Sequence, residues 1–178
     1  MEFRDLRADE INVRIGSINE KGLSLLLFKN ARVDMDILDE TVGIENWQRE
    51  HYECKGNLFC RVGINVNYAN PDAPKEWVYK SDCGTESNTE KEKGESSDSF
   101  KRACVCWGIG RELYTSPFIY IPLTDDEGKQ NYTPKEKNKK PVTYDKFIVE
   151  KIIIENKTIT ALAIKNATKN KRVFVWQK

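Results

Sequence analysis

Lys101 and Arg102, in the stretch "GESSDSFKRACVCWGIGRELY" (94–114), are adjacent cations placed where a polar segment turns apolar. An ammonium and a guanidinium side by side can neutralise phosphates without reading bases, because both are charged at neutral pH and the guanidinium adds a planar fork of donors. Solvated helix charges matched to Asp98 and Glu95 at helical spacing would look the same. Spacing alone does not choose between the two.

Other chemistries are less well furnished. Five cysteines (Cys54, Cys60, Cys83, Cys104, Cys106) and one histidine, His51, include no CxxC pair of the kind zinc sites use. Their odd number reads as reduced thiols, mostly small core residues. A cysteine nucleophile in "SDCGTES" would have only His51 as its base. In "NPDAPKEWVYK", Asp72 and Glu76 stand too close along the chain to serve from separate strands of a two-metal nuclease. Asp125-Asp126-Glu127 lies in a polar stretch and reads as solvated. The GxG of "WGIGREL" lacks the Lys-Ser/Thr ending of a phosphate loop and reads as helix termination or close packing. No metal, no cofactor and no enzymatic activity are expected.

The elements that must position Lys101 and Arg102 follow from periodicity. Residues 89–111 form the longest helical segment, about 33 Å at 1.5 Å per residue. Ser87 with Glu90 and Thr89 with Glu92 have capping-box form. Phe100, Ala103, Cys104 and Trp107 make one apolar stripe, widened by Val105 and Cys106, so the second half of the helix is expected to be buried. The two cations sit where that half begins, with stems able to cover apolar surface.

Upstream, "LRADEINVRIG" (6–16) is expected as a first helix, "KGLSLLLFK" as a buried strand and "ARVDMDILDETVG" as a helix stopped by Gly43. "WQREHYEC" and "LFCRVGINV" flank a hairpin turn at Lys55-Gly56-Asn57, and "EWVYKSDC" supplies a third strand after a loop with two prolines. Downstream, residues 123–141 are polar and lysine-rich and read as a mobile loop or linker. Residues 142–178 alternate β-branched and polar residues and predict two or three antiparallel strands, turning at Glu155-Asn156-Lys157 and near Lys169-Asn170.

The 178 residues suffice for one domain with a real core, and no apolar run approaches the roughly 20 residues that span a bilayer. The charged N-terminus carries no secretory signal, so a soluble protein inside the cell is expected. Net charge is +1, but residues 1–100 hold 13 Lys and Arg against 20 Asp and Glu, while residues 101–178 hold 16 against 8. Such asymmetry suits a molecule with one basic face, or one that packs head-to-tail on its own copies.

Residues 6–122 resemble the single-strand annealing proteins of the Sak and DdrA type, the phage and bacterial branch of the superfamily named after the eukaryotic recombination protein Rad fifty-two. The resemblance rests on the order of elements and above all on Asp98-x-x-Lys101-Arg102-Ala103 followed by Trp107-Gly108. It implies an α+β annealing fold, an antiparallel sheet crossed by a long helix, over residues 1–122. A polar linker (123–141) and a β-rich C-terminal appendage (142–178) would follow.

The resemblance also implies a homo-oligomeric ring or filament whose groove holds single-stranded DNA, phosphates inward, and anneals complementary strands without ATP. Such annealing serves recombination and double-strand break repair, here in the cytoplasm of a phage's bacterial host. Lys101 and Arg102 would line the groove. Arg14 matches a groove arginine, Arg32 is a weaker carry-over, and Lys91 and Lys93 fall near an outer DNA contact. Val105 stands where the eukaryotic pattern has another arginine; either Arg111 replaces that charge or the groove is weaker for its loss. A phage exonuclease and the host single-strand binding protein are partners the resemblance leaves open. The competing readings are a protein that only coats single strands and, further off, a metal-dependent nuclease.

Overall fold

The computed structural model describes residues 1–85 and 91–178, the side chains of 91–93 excepted. Its elements in chain order are β1 (Asn12–Ile18), β2 (Gly22–Phe28), α1 (Ala31–Val42), β3 (Trp47–Cys54), β4 (Asn57–Asn65), β5 (Trp77–Cys83), α2 (Lys91–Trp107), β6 (Ile119–Pro122), β7 (Lys135–Lys137), β8 (Lys140–Val142), β9 (Phe147–Glu155), β10 (Thr158–Asn166) and β11 (Lys171–Gln177). The strands pair antiparallel, which makes this an α+β protein as expected.

Two units emerge. The first comprises Met1–Asp5 and Lys29–Arg111, the second Leu6–Phe28 and Glu112–Lys178.

In the first unit, β3, β4 and β5 form a meander and α2 packs on β4 and β5. The hairpin turn expected at Lys55-Gly56-Asn57 is present as a two-residue turn: Asn57 already pairs with Cys54, and Lys55 and Gly56 both have positive φ (53° and 76°). Helix α1 starts at Asn30, whose Oδ1 accepts from the backbone N–H of Arg32 and Val33 at 2.8 and 3.3 Å, and ends at Gly43 with φ +85°. Its Val33, Ile37, Leu38 and Val42 are buried.

In the second unit, six strands form one sheet in the order β11-β10-β9-β1-β2-β6, and its edge strands approach each other so that it curls nearly into a barrel. Leu23, Leu25, Ile119, Ile121, Ile159, Leu162 and Ile164 fill the interior. The turns expected near Asn156 and Asn170 are present, with Asn156, Lys157 and Asn170 at positive φ. Strands β9–β11 continue the sheet begun by β1 and β2, joined where Asn12 faces Ile148.

Three expectations differ. The helix expected over 6–16 is a strand: only Ala8–Glu10 turns, as a 3-10 segment, and Ile11-Asn12-Val13-Arg14-Ile15 alternates in and out with β-branched residues. Pairing Val13 with Leu27 and Ile15 with Leu25 outweighs the helical spacing of Leu6, Ile11 and Ile15. Segment 123–141 holds β7 and most of β8, which form a hairpin ending at Val142, and buries Tyr132 and Asn131. Asp125 is not merely solvated: its Oδ1 accepts from the N–H of Glu127 and Lys129, and its Oδ2 pairs with Lys171 at 2.8 Å. Those contacts hold its carboxyl below the usual range, Lys171 contributing most. The capping boxes of residues 87–92 fall on the undescribed segment and on side chains outside the description.

Candidate nucleic-acid interface

Helix α2 is fixed to its sheet by one face. Ser99, Phe100, Ala103 and Cys104 have no exposed surface. Trp47 stacks on Phe100 with ring centroids 6.1 Å apart, and the Arg49 guanidinium stands 4.8 Å from the same ring. Trp107 donates its indole N–H to the Val62 carbonyl at 3.0 Å, and His51 Nε2 lies 3.1 Å from the Ser96 carbonyl. These contacts leave the helix no freedom to rotate about its axis, so Lys101 and Arg102 must emerge at the rim, with side chains 26% and 41% exposed.

Each cation has a carboxylate beside it. Lys101 Nζ lies 3.7 Å from Asp98 Oδ1, the helical pair expected. Glu95, the other candidate, instead accepts from the Leu58 N–H. Arg102 Nε lies 3.5 Å from Asp82 Oδ2 on β5, a partner no helical spacing could reveal. Both carboxylates are themselves tied down. Asp98 Oδ2 accepts from the N–H and hydroxyl of Thr85 at 3.2 Å, and Asp82 Oδ1 accepts from the Cys83 N–H at 2.8 Å. The contacts with the cations exceed the 2.7–2.9 Å of a good charge-assisted bond. Long, part-exposed pairs of this kind stabilise by at most about 1 kcal/mol, so a phosphate can replace them.

Behind this rim, Lys29 and Asp34 form a buried ion pair. Burial pushes the Asp34 carboxyl up to about 6, against the opposing pull of Lys29 and, more weakly, Lys101. Burial likewise pushes the Cys60 thiol up to about 11 and raises that of Cys104. Both are neutral core groups rather than nucleophiles. Of the five cysteines only these two are buried; Cys83 and Cys106 are half-buried and Cys54 is exposed.

The other expected residues lie in different settings. Arg111 closes the C-terminus of α2, where Gly108 (φ +104°) donates to the Val105 carbonyl and Ile109 to that of Cys104, a Schellman ending. Its guanidinium donates to the carbonyls of Val105 and Cys106 at 3.0 and 3.1 Å. Lys80 donates to Cys106 as well, over the Trp107 ring. Two cations at the negative end of the dipole stabilise the helix. Arg32 does the reverse: it is exposed in the first turn of α1, where the dipole disfavours a cation. Arg14, in the second unit, is exposed on β1 with its guanidinium 5.9 Å from the Phe28 ring. Lys91 and Lys93 belong to the first turn of α2, and their side chains lie outside the described residues. Sequence reasoning missed Asp82, Lys80 and the Lys29–Asp34 pair, all brought to α2 by other elements.

Among the described residues, no group of three or more His, Cys, Asp or Glu could hold a metal ion, and no helix is long and apolar enough to cross a membrane. No curated protein and no solved structure matches the chain. A family model does: that of the Rad52/22 family double-strand break repair protein matches residues 4–132, from before β1 past β6 and including every element of the first unit. With well over half its length covered, the chain belongs to the Rad52/22 family of double-strand break repair proteins.

Proposed function

We propose that this protein binds single-stranded DNA and anneals complementary strands without nucleotide hydrolysis, acting in recombination and double-strand break repair as a non-catalytic protein. The observation that carries the reading is the motif Asp98-x-x-Lys101-Arg102 on a helix whose apolar face is locked into its sheet, within a chain of this family. Lys101, beside a carboxylate in a long, part-exposed pair, suits sequence-independent phosphate binding, because exchange of that carboxylate for a phosphate costs little.

Lys101 and Arg102 are the principal phosphate contacts in this reading, with Arg14 a third. Within the first unit, Arg32, Arg111, Lys91 and Lys93 add positive charge to that of Lys101 and Arg102, while Arg14 is a contact of the second unit. Residues 1–122 supply the annealing surface. Copies of the chain assemble into a ring or filament, and the phage and bacterial branch, in a bacterial cytoplasm, is its origin.

The test mixes the protein with two complementary oligonucleotides, without ATP or divalent metal, and follows duplex formation beside a Lys101→Ala, Arg102→Ala variant. Accelerated annealing, lost in a variant that still assembles, supports the reading. Binding that slows annealing would replace it with a coating function. Cleavage on adding magnesium or manganese would replace it with a nuclease.

A further inference from the structure

The outer face of β1, β2 and β6, in the second unit, carries aromatic surface that the core does not use. Phe118 is 79% exposed and Tyr120 40% exposed. Their rings lie within 14° of parallel, with centroids 6.4 Å apart. The end of the Tyr120 side chain lies over Gly22, where an added Cβ would come within 2.4 Å of its hydroxyl, 2.6 Å of Cζ and 2.6 Å of the Ile121 carbonyl oxygen. Glycine is therefore required beneath the ring, and the ring's outer side is presented to solvent.

The register places Arg14 on the same face. Tyr120 pairs with Ser24 of β2, Arg14 pairs with Leu26, and Ser24 and Leu26 point to one side because they are two residues apart. Two strand spacings across and two residues along put Tyr120 and Arg14 about 12 Å from each other. The residues on the outer side of these three strands include one guanidinium, two serine hydroxyls and no carboxylate.

We propose that Phe118 and Tyr120 form a stacking platform for the bases of single-stranded DNA, alongside a phosphate contact at Arg14. This inference rests on the single-strand binding proposed above. Positive charge beside exposed rings, with no acid among them, favours nucleic acid over a second protein surface. Stacking occupies the face of a base and leaves its hydrogen-bonding edge open. A platform of this kind steadies a strand without hiding what must pair, and it tolerates any sequence because every base has a π-face.

The test compares binding of an oligo-dT strand with that of an abasic strand of equal length and charge, for the wild type and for Phe118→Ala, Phe118→Trp, and Lys101→Ala, Arg102→Ala variants. Phe118 is so exposed that its truncation leaves folding intact. The wild type is expected to prefer the oligo-dT strand by about fivefold or more, Phe118→Ala to lose that preference with an unchanged salt slope, and Phe118→Trp to keep it. Equal binding of both strands by the wild type overturns the platform. So does a Phe118→Ala variant that changes only the oligomeric state, which would make the face a contact between copies. If the Lys101 and Arg102 variant loses binding while Phe118→Ala behaves as wild type, only the platform fails. If the wild type binds neither strand at low salt, the single-strand reading itself fails.

Discussion

Replacing Lys101 and Arg102 by alanine should flatten the salt dependence of single-strand binding by an amount the structure bounds. Each cation that neutralises one phosphate contributes about 0.7 to the slope of log K against log salt on a single strand, so the pair accounts for about 1.4. Between 50 and 200 mM salt the wild type should then lose roughly sevenfold more affinity than the double variant. The comparison is clean because the variant should fold. Both side chains are at the rim, and their pairs with Asp98 and Asp82 are long and part-exposed, so loss of those two pairs costs at most about 1 kcal/mol each. The neighbours that hold the helix, Phe100, Ala103 and Cys104, are untouched.

The carboxylates sharpen the test. A phosphate seated on Lys101 would lie about 6.5 Å from Asp98, a repulsion of about 0.6 kcal/mol at the dielectric of water. Asp98→Asn, which can still accept from Thr85, should tighten binding about threefold, and only when Lys101 is present. Fluorescence anisotropy of a labelled oligo-dT strand across a salt series, with circular dichroism to check folding, gives both quantities. A folded double variant with an unchanged slope would refute the assignment of these cations to phosphates. Weaker binding by Asp98→Asn would mean that the carboxylate orients the lysine rather than competing for it.

Three further expectations concern the scaffold. The Asp34 carboxyl is raised from 3.8 to about 6, so the folded state holds its proton more tightly than the unfolded chain. Its contribution is full below pH 4 and lost as pH rises through 6, by about 3 kcal/mol; urea titrations of wild type and Asp34→Asn should diverge over that window, and parallel profiles would contradict it. Arg111→Ala removes the guanidinium from the last carbonyls of α2 and should lower stability by about 1 kcal/mol in thermal melts, while changing the salt slope less than loss of Lys101 does. Phe100→Ala empties a fully buried site beneath Trp47 and should cost about 3–5 kcal/mol, measured by chemical denaturation; a loss under 1 kcal/mol would show that the site collapses.

Much of this protein is legible in local pattern. The β3–β4 hairpin, α1 with its Gly43 stop, the apolar stripe of α2 and the turns of β9–β11 all follow from short-range chemistry: positive-φ residues, capping side chains and a matched period. The motif at Lys101 and Arg102 and its placement at the edge of a buried stripe belong to the same class, because a helix face is set by residues three and four apart. Tertiary structure decided what depends on partners distant in sequence. Residues 11–15 carry both a helical spacing and an alternation, and β2 resolved the conflict by pairing with the alternating face. Tyr132 and Asp125 are absorbed by the second unit although their surroundings in sequence are polar, because burying one ring and tying one carboxylate into a part-exposed ion pair need no apolar run. Asp82 reaches Arg102 across 20 positions, and Phe118 and Tyr120 join the face of Arg14 only because β2 lies between β1 and β6. Local chemistry made the cations and rings; long-range pairing chose which of them share a surface.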